Sequence, residues 1–445
     1  MHSTATDQPI RPLNIFQRVM LQWNRLHAYN AVHLVTVRLP LDADRLGRAI
    51  DECCRQAGLT NVELDSDNRR LIPSAVHTQP GLAVLDGRGN PRGTADARIA
   101  MEINQPFTLS GPMCPVRFFA VRWGEQFELG LVYCHFIADA SPISRLLGLI
   151  LRVYAGQAKA DEAASLRQPP KPLRGALLAM TLKHGLAWAI GAPGHLANLV
   201  RSTKPRYLNR LDGDNAYLSA DLQPPQLAGL LERARAWGVS LNDVFMAAMA
   251  KTLEEPARQR IAPGGRRRLM ALSSIADLRP HLNGQAGPGV ALLLGSFCVF
   301  HTPAQEASLE QVARELSRQS RRARRWRLHV RTLAHLRLSL PIMAHCCPDR
   351  QQKFYREHYA QWAGISNINM DASPNRPPPD LACGYRRAVS TGPVCPTVWA
   401  VTTSGGRLSI SLSYRTTVFG PSAAQACLDR FVSLLDDAAR PAIMA

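Results

Sequence analysis

Strand-like and helix-like segments alternate along these 445 residues, which places the chain in the α/β class. Three observations carry that expectation. The chain exceeds one compact core, since domains usually hold ~100 to 200 residues. A strand-turn-helix unit near the start recurs after the midpoint, and a proline-rich segment without acids separates the two copies. Two domains are therefore expected, at residues 1–170 and 211–445, with a basic apolar connector at 171–210.

The first unit is "HLVTVRLPLDADRLGRAIDECCRQAGL", a strand, a turn and an amphipathic helix with Leu46, Ile50 and Cys53 at helical spacing. Its echo, "AYLSADLQPPQLAGLLERARAWGV", sets Leu227, Leu230 and Leu231 on one helix face and ends in Gly-Val. The echo fits two similar halves, although such units recur in unrelated folds. In the connector, the apolar run from Ala176 to Ala192 is shorter than the ~20 residues of a bilayer span and contains Lys183 and His184. A helix buried between domains is the preferred reading, and one lying on a membrane surface with basic flanks is the other. Farther on, "RRLMALSSIADLRPHL", "VALLLGSFCVFHT" and "GRLSISLSYRTTVFG" read as strands, and a helix closes the chain. Between them, Val312, Leu316, Ala323, Trp326, Val330, Leu333 and Leu340 keep a three-four spacing that predicts a single long helix, with Arg314, Arg318, Arg321, Arg322 and Arg325 on its basic face.

Composition narrows the class. With 46% apolar and 20% charged residues the chain is globular. No basic n-region followed by an apolar h-region opens it, so a cytoplasmic protein is expected. Ten cysteines, two pairs of them adjacent, do not form a disulfide scaffold, and neither C-x-x-C nor H-E-x-x-H occurs. Reduced thiols, no metal and no bound cofactor are expected. The net charge of +19 is localised: residues 163–211 hold eight Lys or Arg, residues 316–348 hold eight Arg, and neither segment has an acid.

The segment that carries chemistry is "FELGLVYCHFIADASPISRLLGLI". An apolar strand runs into a loop, and Ser141 followed by Pro142 signals a helix carrying Ile143, Leu146, Leu147 and Ile150. His135 thus falls between strand and helix, where a neutral imidazole can take a proton from a hydroxyl or amine. Taken alone, H-x-x-x-D is weak among thirteen histidines, and a satisfied loop histidine with Asp139 at a helix start is then the preferred reading.

These residues resemble the acyltransferases with the chloramphenicol acetyltransferase fold: condensation domains, polyketide-associated acyltransferases and wax ester synthases. Their signature, H-H-x-x-x-D-G at a strand end, reads "CHFIADA" here, matching at His135 and Asp139 and departing at Cys134 and Ala140. "INQPFTLSGPMCPVRF", "SLNDVFMAAMAKTL", "SSIADLRPHL", "LLGSFCVF" and "ISNINMD" resemble the family's other segments in order, from about residue 12 to the C-terminus. The resemblance implies two such domains in a pseudo-dimeric V with an active-site channel between them. It implies His135 as general base, Asp139 paired structurally with Arg279 of "DLRP", and Ser366 with Asn367 as candidate oxyanion donors. The donor would be an acyl-CoA or acyl carrier protein thioester, and the acceptor a hydroxyl or amine, in lipid or secondary metabolism. Arg318, Arg321 and Arg325 are the expected docking face for an acidic carrier protein or a membrane. A monomer is expected. Two other readings stand beside this one: a degenerate condensation-like protein that binds carriers without chemistry, and a basic nucleic-acid-binding protein, disfavoured because "RRARRWRLHVR" sits in no recognisable binding module.

Overall fold

Chain order and spatial grouping part company in this molecule. The computed structural model describes residues 10–168, 174–208, 214–282, 287–304 and 306–440. Two compact units emerge: unit 1 is Met1–Leu173, Asp277–Leu294 and Asn369–Ser390, and unit 2 is Arg174–Ala276, Gly295–Ile368 and Thr391–Ala445. The expected halves are thus interleaved, because two segments of 211–445 fold with unit 1, and the connector's helix folds with unit 2.

In unit 1, β1 (Arg11–Pro12), β3 (Val62–Leu64) and β4 (Arg70–Pro73) form a small sheet in the order β1-β4-β3. The main sheet has the order β12-β2-β7-β6-β5, from β2 (Asn30–Val37), β5 (Leu82–Asp86), β6 (Val116–Trp123), β7 (Gln126–Cys134) and β12 (Ala382–Val389). Only β5 and β6 run parallel within it. Helices α1 (Ile15–Asn24), α2 (Ala43–Gln56), α3 (Pro91–Glu102) and α4 (Ala140–Tyr154) complete the unit. Local chemistry explains their ends: Asp42 caps α2 by accepting from the Arg45 amide at 3.0 Å, and Arg55 complements the dipole in its last turn. As its spacing predicts, α2 buries Leu46, Ile50 and Cys53. In β7, Gly130 lies opposite Phe119, where any Cβ would collide with the ring, so the close approach requires glycine. Strand β12 is tied across β2 to β7 by Arg386, whose Nη2 donates to Glu128 at 2.7 Å.

Unit 2 has a six-stranded sheet in the order β10-β9-β11-β13-β14-β8. Its strands are β8 (Asn215–Leu222), β9 (Met270–Asp277), β10 (Leu294–His301), β11 (Gln361–Asn369), β13 (Thr397–Ser404) and β14 (Arg407–Arg415). The helices are α5 (Arg174–Val200), α6 (Pro224–Ala236), α7 (Leu241–Arg258), α8 (Leu309–Arg325), α9 (Leu328–Ala344), α10 (Pro348–His358) and α11 (Pro421–Ala439). Its core joins sheet and helices through Trp399 stacked on Phe431, with Phe245, Leu230 and Leu316 fully buried around them.

Four expectations change here. The single helix expected across 312–340 is two, because Arg327 adopts the left-handed conformation at φ 51° and breaks the run between α8 and α9. Trp326, expected in the apolar stripe, is at that break and is exposed, whereas Val312, Leu316, Ala323, Val330, Leu333 and Leu340 are buried. Leu231 is exposed although Leu227 and Leu230 are buried, since α6 buries a narrower stripe than the spacing suggested. The connector helix, preferred as a buried one, carries six exposed large apolar side chains.

Candidate active site in unit 1

His135 directly follows β7, and Asp139 directly precedes α4, so the four-residue step between them is the strand-to-helix loop. The helix begins two residues earlier than expected. Its N-cap is Asp139, not Ser141: Asp139 Oδ1 accepts from the Ser141 amide at 3.1 Å. The other oxygen, Oδ2, accepts from Arg279 Nη1 at 2.9 Å and from the Leu293 amide at 2.7 Å. Asp139 also donates its own amide to Ala291 O at 3.2 Å. The carboxylate is buried, and among the described residues its hydrogen bonds come from the helix start and from Asp277–Leu294, the inserted segment of unit 1. For Arg279, burial lowers the pKa, but Asp139 and then Asp277 outweigh it and the net direction is up. The guanidinium therefore stays charged and holds the loop as a charge-assisted clamp.

The imidazole is fixed as firmly. His135 is 8% exposed, and its amide donates to Tyr29 O at 3.0 Å. Its Nδ1 is 3.1 Å from Ala138 O, and because a carbonyl can only accept, the proton resides on Nδ1 and the lone pair on Nε2. Tyr29 and Tyr133 lie against the ring at centroid distances of 5.4 and 5.7 Å. Burial pushes the His135 pKa down to about 4; the bond to Ala138 opposes the shift, and Arg387 adds to it. The ring is thus neutral at physiological pH, with Nε2 ready to accept a proton.

A polar layer beneath this loop escaped the sequence reading. Tyr385 of β12 is 2.6 Å from His33 Nδ1 and 2.9 Å from Ser144 Oγ on α4, while His33 Nε2 is 3.3 Å from the Tyr133 hydroxyl. Arg387, also of β12, is buried, and burial lowers its pKa to about 10. Burial likewise drives His33 well below its ordinary value, with Arg387 contributing. No local pattern marks these residues, because β12 reaches β2 across some 350 residues of chain, as the pairing Leu34 with Arg386 shows.

The two departures from the motif are both accommodated. Cys134 is buried at the last position of β7, and burial raises its thiol to about 12, so it stays protonated. Ala140 opens α4 with a helical backbone and is absent from the positive-φ residues, so the position does not require glycine. The remaining candidates are in unit 2. Ser366 and Asn367 are half-buried within β11 rather than in a loop, and consecutive strand residues face opposite sides of a sheet. Only one of them can address a given atom. Arg318, Arg321 and Arg325 are exposed on α8, at a spacing that aligns them on one face. A hollow of about 730 Å³ between α6 and α11, lined by Gln226, Gly229, Arg233 and Asp436, contains none of the candidate residues.

Fold and loop together define a two-unit α/β protein with the chloramphenicol acetyltransferase-like fold of condensation domains. Among solved structures, the first condensation domain of the calcium-dependent antibiotic synthetase, in complex with a substrate analogue, is 18% identical with a TM-score of 0.64, covering 97% of each chain. The condensation domain of the Monacolin K polyketide synthase MokA is 14% identical with a TM-score of 0.64, again covering 97% of both chains. The EpoB cyclization-docking bidomain from Sorangium cellulosum is 14% identical with a TM-score of 0.63, covering 98% of this chain and 87% of that one. No family model and no curated protein matches the sequence. Among the described residues, no helix is long and apolar enough to cross a membrane.

Proposed function

We propose that the protein is an acyltransferase that moves an acyl group from a thioester to a hydroxyl or amine, with His135 as general base. The observation that carries this reading is the fixed tautomer of a buried, neutral imidazole, in a loop clamped by Asp139, Arg279 and Leu293. Nε2 removes the proton from the acceptor as its oxygen or nitrogen attacks the thioester carbon. The tetrahedral oxyanion collapses, the C–S bond breaks, and the departing sulfur takes the proton from Nε2. An ester or amide and a free thiol result, and no acyl-enzyme is required. Ser366 and Asn367 are kept together as the oxyanion-donor candidates that the family resemblance implies. Asp139 and Arg279 act as positioning residues.

The donor is read as a carrier-protein or coenzyme A thioester. The exposed arginines of α8 suit either an acidic carrier surface or phosphates, which supports Arg318, Arg321 and Arg325 as its docking face. A second reading, a condensation-like protein that binds a carrier without chemistry, draws on Cys134, a buried and protonated thiol where the resembling family has histidine. One experiment separates them: intact-mass detection of acyl transfer, using the full chain with panels of acyl thioesters and nucleophiles. Turnover that disappears in His135→Ala supports the transferase. Equal turnover by both proteins excludes His135 as the base, and carrier binding without any turnover favours the second reading.

A further inference from the structure

Helix α5 turns one face inward and leaves the opposite one bare. Trp188 and His195, seven residues apart, point into unit 2: Trp188 Nε1 donates to Trp326 O at 2.7 Å, and the His195 ring lies 5.4 Å from that of Phe300. Gly191 is between them on the same face, with the Arg331 guanidinium close by. On the other side, Leu178, Leu182, Leu186, Ile190, Leu196 and Val200 are each at least 61% exposed. At ~3.6 residues per turn these six fall within about a third of the circumference, and at ~1.5 Å per residue they span roughly 33 Å. Isolated exposed leucines need no explanation, but a continuous row of this length does.

We propose that this face binds the surface of an anionic lipid bilayer, with α5 lying in the interface. Charge selects that occupant. Lys183 and Arg201 are exposed and, eighteen residues apart, share one angular position at the edge of the apolar row, where their stems can extend along it to phosphates. Residues 163–211 contain eight Lys or Arg and no acid, so nothing along the helix repels a negative surface. A second copy of the chain seated on the row would bring two such segments together, like charge against like. The helix lies on the bilayer and does not cross it, in keeping with the absence of a span among the described residues. The inference is independent of the role of His135.

The test is flotation of the full chain with vesicles of phosphatidylcholine, alone or enriched in phosphatidylglycerol. The protein should partition onto the phosphatidylglycerol vesicles and be released as salt rises. Combined Leu182→Gln, Leu186→Gln and Ile190→Gln should lower partitioning at least about tenfold, because the apolar contact is removed while glutamine preserves the helix. Lys183→Glu with Arg201→Glu should abolish the preference for phosphatidylglycerol. Circular dichroism and thermal melting of each variant should match the original protein. Failure of the unsubstituted chain to bind these vesicles overturns the proposal, as does equal binding by the glutamine variant. A sedimentation mass of two copies that falls to one in the glutamine variant also overturns it, since a second copy would then cover the row.

Discussion

Two buried histidines at strand ends, one in each unit, have their pKa values pushed in opposite directions. His135 follows β7 and, among the described residues, its ring bonds a carbonyl rather than an acid, so desolvation prevails and its pKa falls to about 4. His301 ends β10, with Nε2 2.9 Å from Glu254 and Nδ1 3.1 Å from Glu315. Burial pushes His301 down as well, but the two carboxylates outweigh it and the net direction is up. Burial therefore expels a proton unless a paired acid retains it, and the partner decides whether a histidine is a base or a structural cation. Unit 1 keeps its acid, Asp139, off the imidazole and on Arg279.

The contrast can be broken, beginning with the largest effect. His135→Ala should lower turnover by ~10²- to 10⁴-fold with the melting temperature nearly unchanged, measured on whichever thioester and acceptor pair the mass assay identifies. Asp139→Ala should destabilise the protein by ~3 kcal/mol, the lower end for a buried pair, because Arg279 keeps Asp277 at 3.2 Å. Chemical denaturation reads that cost, and an unchanged midpoint would remove the clamp from the account.

Smaller effects sharpen the comparison. His301→Gln should cost ~1 to 3 kcal/mol without reducing turnover. Because the folded pKa of His301 is raised, its stabilisation is fully present below ~6.5 and is lost as pH rises through the raised value. Melting profiles against pH should show that decline in the original protein and lack it in the variant. For His135 the sign reverses: its contribution is complete above ~6.5 and is lost as pH falls toward about 4. The acid limb of kcat/KM should accordingly fall near pH 4 to 5, not near 6.5, and a midpoint near 6.5 would mean a solvated imidazole. Last, Arg318→Glu, Arg321→Glu and Arg325→Glu together should slow association with a carrier protein and reduce its salt dependence, with turnover of a small uncharged thioester intact. Unchanged binding kinetics would place docking elsewhere.

Much of unit 1's local order was legible in the sequence because local rules govern it. A strand-turn-helix unit gave β2 and α2, an apolar run gave β7, helical spacing gave α4, the motif led to His135 and Asp139, and the family resemblance added Arg279. Long-range placement was not legible. Nothing near Tyr385 or Arg387 in sequence says that β12 pairs with β2, and no periodicity reveals that Asp277–Leu294 folds around the His135 loop. The helix break at Arg327 was hidden too, since a left-handed arginine leaves the apolar spacing intact on both sides. The bare face of α5 was misread for a related reason: an apolar row looks the same in sequence whether it is covered or not.

The late arrival of β12 bears on how the chain is made. During synthesis, β2 leaves the ribosome hundreds of residues before Ala382–Val389, the strand that covers its outer edge. Until then an apolar strand offers an open row of amides and carbonyls to any neighbour. The Arg279 and Leu293 contacts that lock the His135 loop also wait for residues 277–294. A nascent chain stalled near residue 210 would hold most of unit 1's sequence yet neither its closing strand nor its loop clamp. Unit 1 begins first and finishes late, so chaperone demand should persist until translation has passed Ser390.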